Sequence, residues 1–292
     1  MGHNKTKKIS IGLPVYNGEK FLKQSIDSIL CQTYSDFEFI ISDNASTDST
    51  MDICKSYAAM DSRIRYIRND ANIGIMGNFN QVVRLANGEY FKWVAHDDIH
   101  AETFLERCME GLEKEPSVVL CYTKSKIINE NGEIIAVYND NLDLRQNFPH
   151  ERIRQLLMEL NLVNALYGLI RMEALNKTRL MGEYLGSDYN TLLELCILGK
   201  FMEIQEFLFF RRDKEKNVRK LTQKEQALTY DPSNKISFRF PKIRLIIEQW
   251  RSVNRYKLGI YEKILCYIQL QQWIIRLTRN KAGLFKRYLF KR

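Results

Sequence analysis

The chain has 292 residues, 45% of them hydrophobic and 27% charged, with only 5 prolines. That length and balance allow one large domain or two modest ones and exclude a disordered or fibrous chain. The net charge of +9 is uneven: 13 Lys/Arg and 2 Asp/Glu fall in 242–292, so that segment carries +11 and the remainder −2, which favours an anionic surface as partner over nucleic acid.

In chain order, residues 8–14 (KISIGLP) read as a buried strand that Pro14 ends. Helical spacing follows over 19–31, through Phe21, Leu22, Ile26, Ile29 and Leu30. Residues 37–43 (FEFIISD) form a second strand. Asp48 is placed to cap a helix reaching about residue 59. A third strand is expected over 64–68 and a short helix over 78–86, stopped by Asn87-Gly88. A fourth strand over 90–95 (YFKWVA) runs directly into His96-Asp97-Asp98. A helix over 101–113 and a fifth strand over 118–122 complete the alternation. Beyond Ser125 come a hairpin around Asn131-Gly132, a helix over 151–160, a short strand over 167–170, a helix over 189–198 closed by Gly199, and two short strands over 201–204 and 207–210. The main domain is expected to be 1–212, and 213–292 a helical, basic extension.

This rhythm predicts an α/β fold with a largely parallel sheet covered by helices. Such sheets bind ligands at the carboxyl ends of their strands. The segments there are 16–19, 43–48, 68–74 and 96–98. All four are polar and three contain carboxylates.

The cysteines Cys31, Cys54, Cys108, Cys121, Cys196 and Cys266 show no C-x-x-C spacing and no accompanying His cluster. They read as buried thiols of a reducing, cytoplasmic compartment. The first apolar stretch is too short for a secretory signal, and no run approaches the ~18 residues of a membrane span.

Asp97-Asp98 leave a strand into a polar loop, where two adjacent carboxylates are costly to bury without a cation. Mg²⁺ or Mn²⁺ shared with a diphosphate suits such hard oxygen ligands; a solvated turn is the alternative. Asp43, after the second strand, is placed to accept the imide N–H of uracil or thymine, or else to serve the turn.

Three segments in this order, IGLPVYNGEKFLKQSIDSILCQTYSDFEFIISDNASTDST, RNDANIGIMGNFNQVVRLANGEYFKWVAHDD and GSDYNTLLELCILGKFMEIQEFLFFRR, resemble those of glycosyltransferase family 2. The resemblance spans about 8–212 and implies the GT-A nucleotide-binding fold. It implies that Pro14, Tyr16 and Glu19 line the nucleotide, that Asp43 reads the base, and that Asn72 and Gly74 lie beside it. It also implies that Asp97 sits near ribose and diphosphate, that Asp98 is the chief metal ligand, and that Asp188 is the general base of an inverting transfer. The implied activity is hexosyl or N-acetylhexosaminyl transfer from a nucleotide sugar, a UDP-sugar being favoured, to a glycan or lipid-linked acceptor in surface polysaccharide assembly. Two departures stand out. His96 and Ser187 occupy positions where many relatives carry an acid, so His96 is read as a ligand, a phosphate donor or a packed residue. Arg211 or Arg212 is a candidate phosphate contact, or a solvated arginine.

Residues 236–292 mix basic residues with Trp250, Trp273, Phe285, Tyr288 and Phe290. They are expected either to bind the anionic inner face of a membrane peripherally or to pack on the catalytic domain or in a homo-oligomer. The alternative to an enzyme is a non-catalytic nucleotide-sugar-binding or membrane-surface-binding protein of the same fold. A nucleotidyltransferase would want a basic Gly-rich loop that VYNGEKF lacks.

Overall fold

The computed structural model describes residues 8–159, 161–214, 225 and 241–289. Strands β1 (Ile9–Val15), β2 (Phe37–Asp43), β3 (Ile64–Arg68) and β4 (Tyr90–Trp93) alternate with helices α1 (Leu22–Leu30), α2 (Thr50–Met60) and α3 (Ile75–Arg84). They pair in parallel in the order β3-β2-β1-β4. The period-2 pattern assigns the faces: Phe37, Phe39 and Ile41 of β2 join one core cluster with α1 and α2, while Ile40 joins the other. Gly12 in β1 admits α3 closely, since a Cβ there would lie 2.7 Å from Val82.

The second half of the sheet is mixed. After β5 (Ile99–His100) and α4 (Phe104–Lys114) come β6 (Val118–Ile128) and β7 (Ile134–Tyr138), an antiparallel hairpin whose turn contains Gly132 at φ 88°. Then follow α5 (Pro149–Glu159), a 3-10 turn (Asn164–Tyr167), β8 (Leu169–Arg171), α6 (Met172–Leu175), α7 (Ser187–Leu198) and β9 (Lys200–Arg212). β8 lies antiparallel between β4 and β6, β6 and β9 run parallel, and β5 adds to β9 antiparallel. The two short strands expected over 201–210 are one continuous β9. Gln205 and Glu206 interrupt its register against β6, because Thr123 faces Ile204 and Lys124 faces Phe207.

Helices α8 (Pro241–Arg255) and α9 (Ile260–Leu289) fold back onto α5 and α7. Val253, Cys266 and Leu270 are buried in the same cluster as Leu156 and Leu192. Arg179 fastens this joint, pairing with Glu194 of α7 and Glu248 of α8 at 2.6 Å each. Among the described residues, no helix is long and apolar enough to cross a membrane.

Candidate active site

The parallel register brings the ends of β1, β2 and β3 to one edge, with Val15 beside Asp43 and Asp43 beside Arg68. The loops that follow are stitched by side chains bonded to backbone, which suits Asn, Asp and Ser. Asn17 (φ 49°) accepts the Thr47 N–H, and Asp48 accepts the N–H groups of Glu19 and Thr50. Glu19 in turn accepts the Ser49 N–H at 3.0 Å, so its carboxylate braces the start of α2. Asn44 donates to Asn72 and to the Gly74 carbonyl, and Asn72 accepts the Gly74 N–H. Gly74, at φ 79°, opens α3, which therefore starts three residues before the expected 78. Pro14 is buried, whereas Tyr16 is exposed beside these loops.

Asp43 is wholly buried. One oxygen accepts the Ser46 N–H, and the other accepts the Tyr66 hydroxyl at 2.9 Å and the Arg68 guanidinium at 2.6 Å. Arg68 also donates to the Ser46 carbonyl. The strand-end position of Arg68 marked its segment, but nothing in the sequence paired it with Asp43.

At the end of β4 the His96-Asp97-Asp98 segment is held from two sides. Ser25 donates to the Ala95 carbonyl, and β9 reaches across at Arg212. The Arg212 N–H bonds Asp98 at 2.8 Å. Its guanidinium donates to the carbonyls of Asp97, Asn129 and Glu130 and to Gln24, and lies over the Phe21 ring. Arg212 is therefore a buried organiser of the motif rather than a solvated arginine. Arg211 donates to Asn164 of the 3-10 turn.

The two carboxylates differ electrostatically. Burial works against charge on Asp97, but His96 and Lys214, the latter 2.5 Å away, outweigh it and hold its pKa below the usual range. Asp98 is pushed up to about 7 by burial and by the neighbouring Asp97 charge, against the pull of Arg211 and Lys214. Burial lowers the His96 pKa despite Asp97, favouring a neutral imidazole. The His96 ring packs on Gly18, where a Cβ would come within 3.0 Å of it. Asn17, Gly18, Lys20, Phe21, His96, Glu130 and Lys214 line a cleft of about 330 Å³ against this motif.

Asp188 stands in the first turn of α7, after Gly186 at φ 85°. It follows the cap position instead of occupying it, and it accepts its neighbour's N–H from Tyr189. Tyr167 connects it to the motif. Burial raises that phenol's pKa, Arg211 opposes, and Asp98, Asp97 and Asp188 each raise it further. Asp188 lies ninety residues beyond Asp98 in sequence. Tyr167 and Lys214 were not singled out from sequence, the second being lost in a charged run.

The sequence pattern of glycosyl transferase family 2 matches residues 10–178. The chain belongs to this family. It is 29% identical over 228 residues to an uncharacterized glycosyltransferase of Methanocaldococcus jannaschii, covering 76% of this chain and 77% of that one. It is 29% identical over 206 residues to the chondroitin synthase of Escherichia coli, covering 70% of this chain but only 28% of that one. Among solved structures, S. aureus TarS (residues 1-349) superposes with a TM-score of 0.67 at 16% identity, covering 94% of this chain and 73% of that one. A mannosyltransferase of Pyrobaculum calidifontis, solved with GDP-Man and Mn²⁺, superposes at 0.56 with 13% identity, covering 96% and 76%. The fold is GT-A, and the family member is a glycosyltransferase.

Proposed function

We propose that the chain is an inverting, metal-assisted transferase moving a sugar from a nucleoside-diphosphate donor, with UDP-sugar favoured, to a hydroxyl acceptor. The observation that carries this is the buried Asp97-Asp98 pair at the end of β4, held by Arg212 and Lys214 beside a cleft lined by Lys20, His96 and Lys214. TarS was solved with UDP and with UDP-GlcNAc, which supports the donor class.

On this reading Pro14, Tyr16, Asn72 and Gly74 line the nucleotide, and Glu19 braces their loops. Asp43, with Arg68 beside it, meets the imide edge of the base. Residues 1–212 carry the chemistry, joined by Lys214 from 213–292.

Asp98, with Asp97, would hold Mn²⁺ or Mg²⁺. The fit rests on a buried carboxylate whose charge is under-compensated by its neighbours. Among the described residues no three His, Cys, Asp or Glu side chains gather into a cage. Such an ion supplies electrostatic stabilisation of the leaving diphosphate. Lys214 is placed to exchange Asp97 for a phosphate oxygen, adding a second positive charge as the bond breaks. Asp188 takes the proton of the attacking hydroxyl. Attack opposite the leaving group inverts the anomeric centre without a protein nucleophile. The acceptor is assigned to a glycan or lipid-linked sugar of surface polysaccharide assembly.

Thermal shift against UDP, dTDP, GDP and ADP, with and without Mn²⁺, tests the site, because a ligand of the native state raises stability by mass action. A metal-dependent shift with UDP, lost in Asp98→Ala, is the expected result. Equal shifts with all four, or none, would overturn the donor assignment.

A further inference from the structure

Exposed apolar side chains gather along α9. The helix turns Cys266 and Leu270 into the body, while Ile260, Tyr261, Ile264, Ile268 and Ile275 stand outside, Ile260 by 83% and Ile264 by 52%. At about 100° per residue the five fall within an arc of roughly 100°, so they form one stripe. At 1.5 Å per residue it runs about 22 Å. On its flank a cleft of about 210 Å³ opens between α5 and α9, with Leu157, Met158 and Trp273 between Arg154 and Arg276.

Cations outnumber acids thirteen to two over 242–292, although Glu151 and Glu159 of α5 are also exposed. Both acids of 242–292 are engaged: Glu248, nearly buried, is held by Arg179, Arg244 and Arg251, and Glu262 pairs with His150 at 2.9 Å. Lys257, Arg154 and Arg276 are exposed. The segment thus combines a net +11 with an isoleucine ridge. A second copy fits poorly, because a two-fold contact would set this cationic patch against itself.

We propose that α9 docks on an anionic lipid surface. Its isoleucines enter the headgroup boundary, and Arg154 and Arg276 flank a seat for a lipid phosphate beside Trp273. The helix lies along the surface, on the same chain as the transfer site. This goes beyond the transfer reading and does not depend on it.

The full chain would be floated with phosphatidylcholine vesicles and with vesicles enriched in phosphatidylglycerol, at low and high salt, with and without excess inorganic phosphate. The expected result is binding to the phosphatidylglycerol vesicles alone, weakened by salt, and weakened by phosphate no more than by sodium chloride of equal ionic strength. The double variant Ile264→Glu/Ile268→Glu should reduce the bound fraction at least about tenfold. Both positions are exposed, so its thermal unfolding and nucleotide response should match the parent. The proposal is overturned by absence of binding, by binding that the double variant leaves intact, or by release with inorganic phosphate beyond that caused by sodium chloride of equal ionic strength. It is also overturned if light scattering shows a dimer that the variant dissolves. The vesicle assay contains no nucleotide, so its failure and that of the transfer reading are separately visible.

Discussion

The ends of β2 and β4 each carry a buried carboxylate on the same edge of one sheet, and their surroundings are opposite. Asp43 is surrounded by donors: a backbone N–H, a phenol and a guanidinium. Asp98 has the Arg212 N–H, but beside it stands a second carboxylate, and its pKa is driven up to about 7. A satisfied buried carboxylate stabilises its loop, whereas an under-compensated one is kept at a cost in stability and suits an added cation. Position on the edge does not separate the two; their partners do.

The largest effect expected from this contrast is on turnover. Asp98→Ala should lower transfer by about 10³-fold or more, because it removes the residue that would anchor charge stabilisation of the leaving group. Steady-state transfer with a UDP-sugar measures it, and activity within about tenfold of the parent would place the critical charge elsewhere. Asp188→Asn should lower kcat by about 10²-fold or more while leaving the nucleotide-induced thermal shift in place. Loss of that shift would make Asp188 part of the donor site instead of the base.

Stability offers the sharper test, because one substitution should act with opposite signs at the two ends. Asp43→Asn weakens the bond to Arg68 and should destabilise by about 1–3 kcal/mol. For Asp98, the unfolded carboxyl titrates near 3.8 and the folded one near 7. Charging the folded form is therefore penalised increasingly as pH rises through that window, and the penalty is absent below it. Asp98→Asn removes the penalty and should stabilise the metal-free protein at neutral pH by a comparable amount, about 1–3 kcal/mol. Urea denaturation in chelator reads both, and matching signs would dissolve the contrast.

Much of the first half was legible because periodicity and strand ends are local. The strands ending at Pro14, Asp43 and Arg68 and the polar segments after them follow from apolar runs and turn residues. What stayed hidden depends on long-range contact. Arg68 gains meaning only through Asp43, Lys214 only through Asp97, and Arg212 only when β9 returns to the β4 end. The charged run after 210 concealed Lys214 and hid the organising role of Arg212, since cations in a polar stretch read equally well as solvated. Gln205 and Glu206 divided β9 in the sequence because two polar residues in an apolar strand resemble a turn, whereas the bulge absorbs them. Tyr167 lay at the start of an expected strand, whereas it closes the 3-10 turn that precedes β8.

β4 holds a second under-compensated charge, and it gives the finest test. Lys92 is wholly buried, donates to the Tyr167 carbonyl and sits 3.8 Å over the Phe104 ring. Burial lowers its pKa from 10.5 to about 7, more than Cys108 and Asp98 can restore. Between those values the unfolded chain keeps the proton and the folded chain has lost it. Stability should therefore rise with pH from about 7 towards 10.5, by at most about 1.4 kcal/mol per pH unit, and level off below 7 where both states are charged. Lys92→Met is neutral in both states and removes this penalty, so the variant should gain most on the parent near pH 7 and below and lose that gain as pH rises towards 10.5. The variant also strands the Tyr167 carbonyl, a fixed loss that shifts the whole difference without changing its slope. Urea midpoints between about pH 7 and 9 separate the two contributions. Parallel curves would mean that Lys92 is compensated as fully as Asp43, and the difference between β2 and β4 would narrow to Asp98 alone.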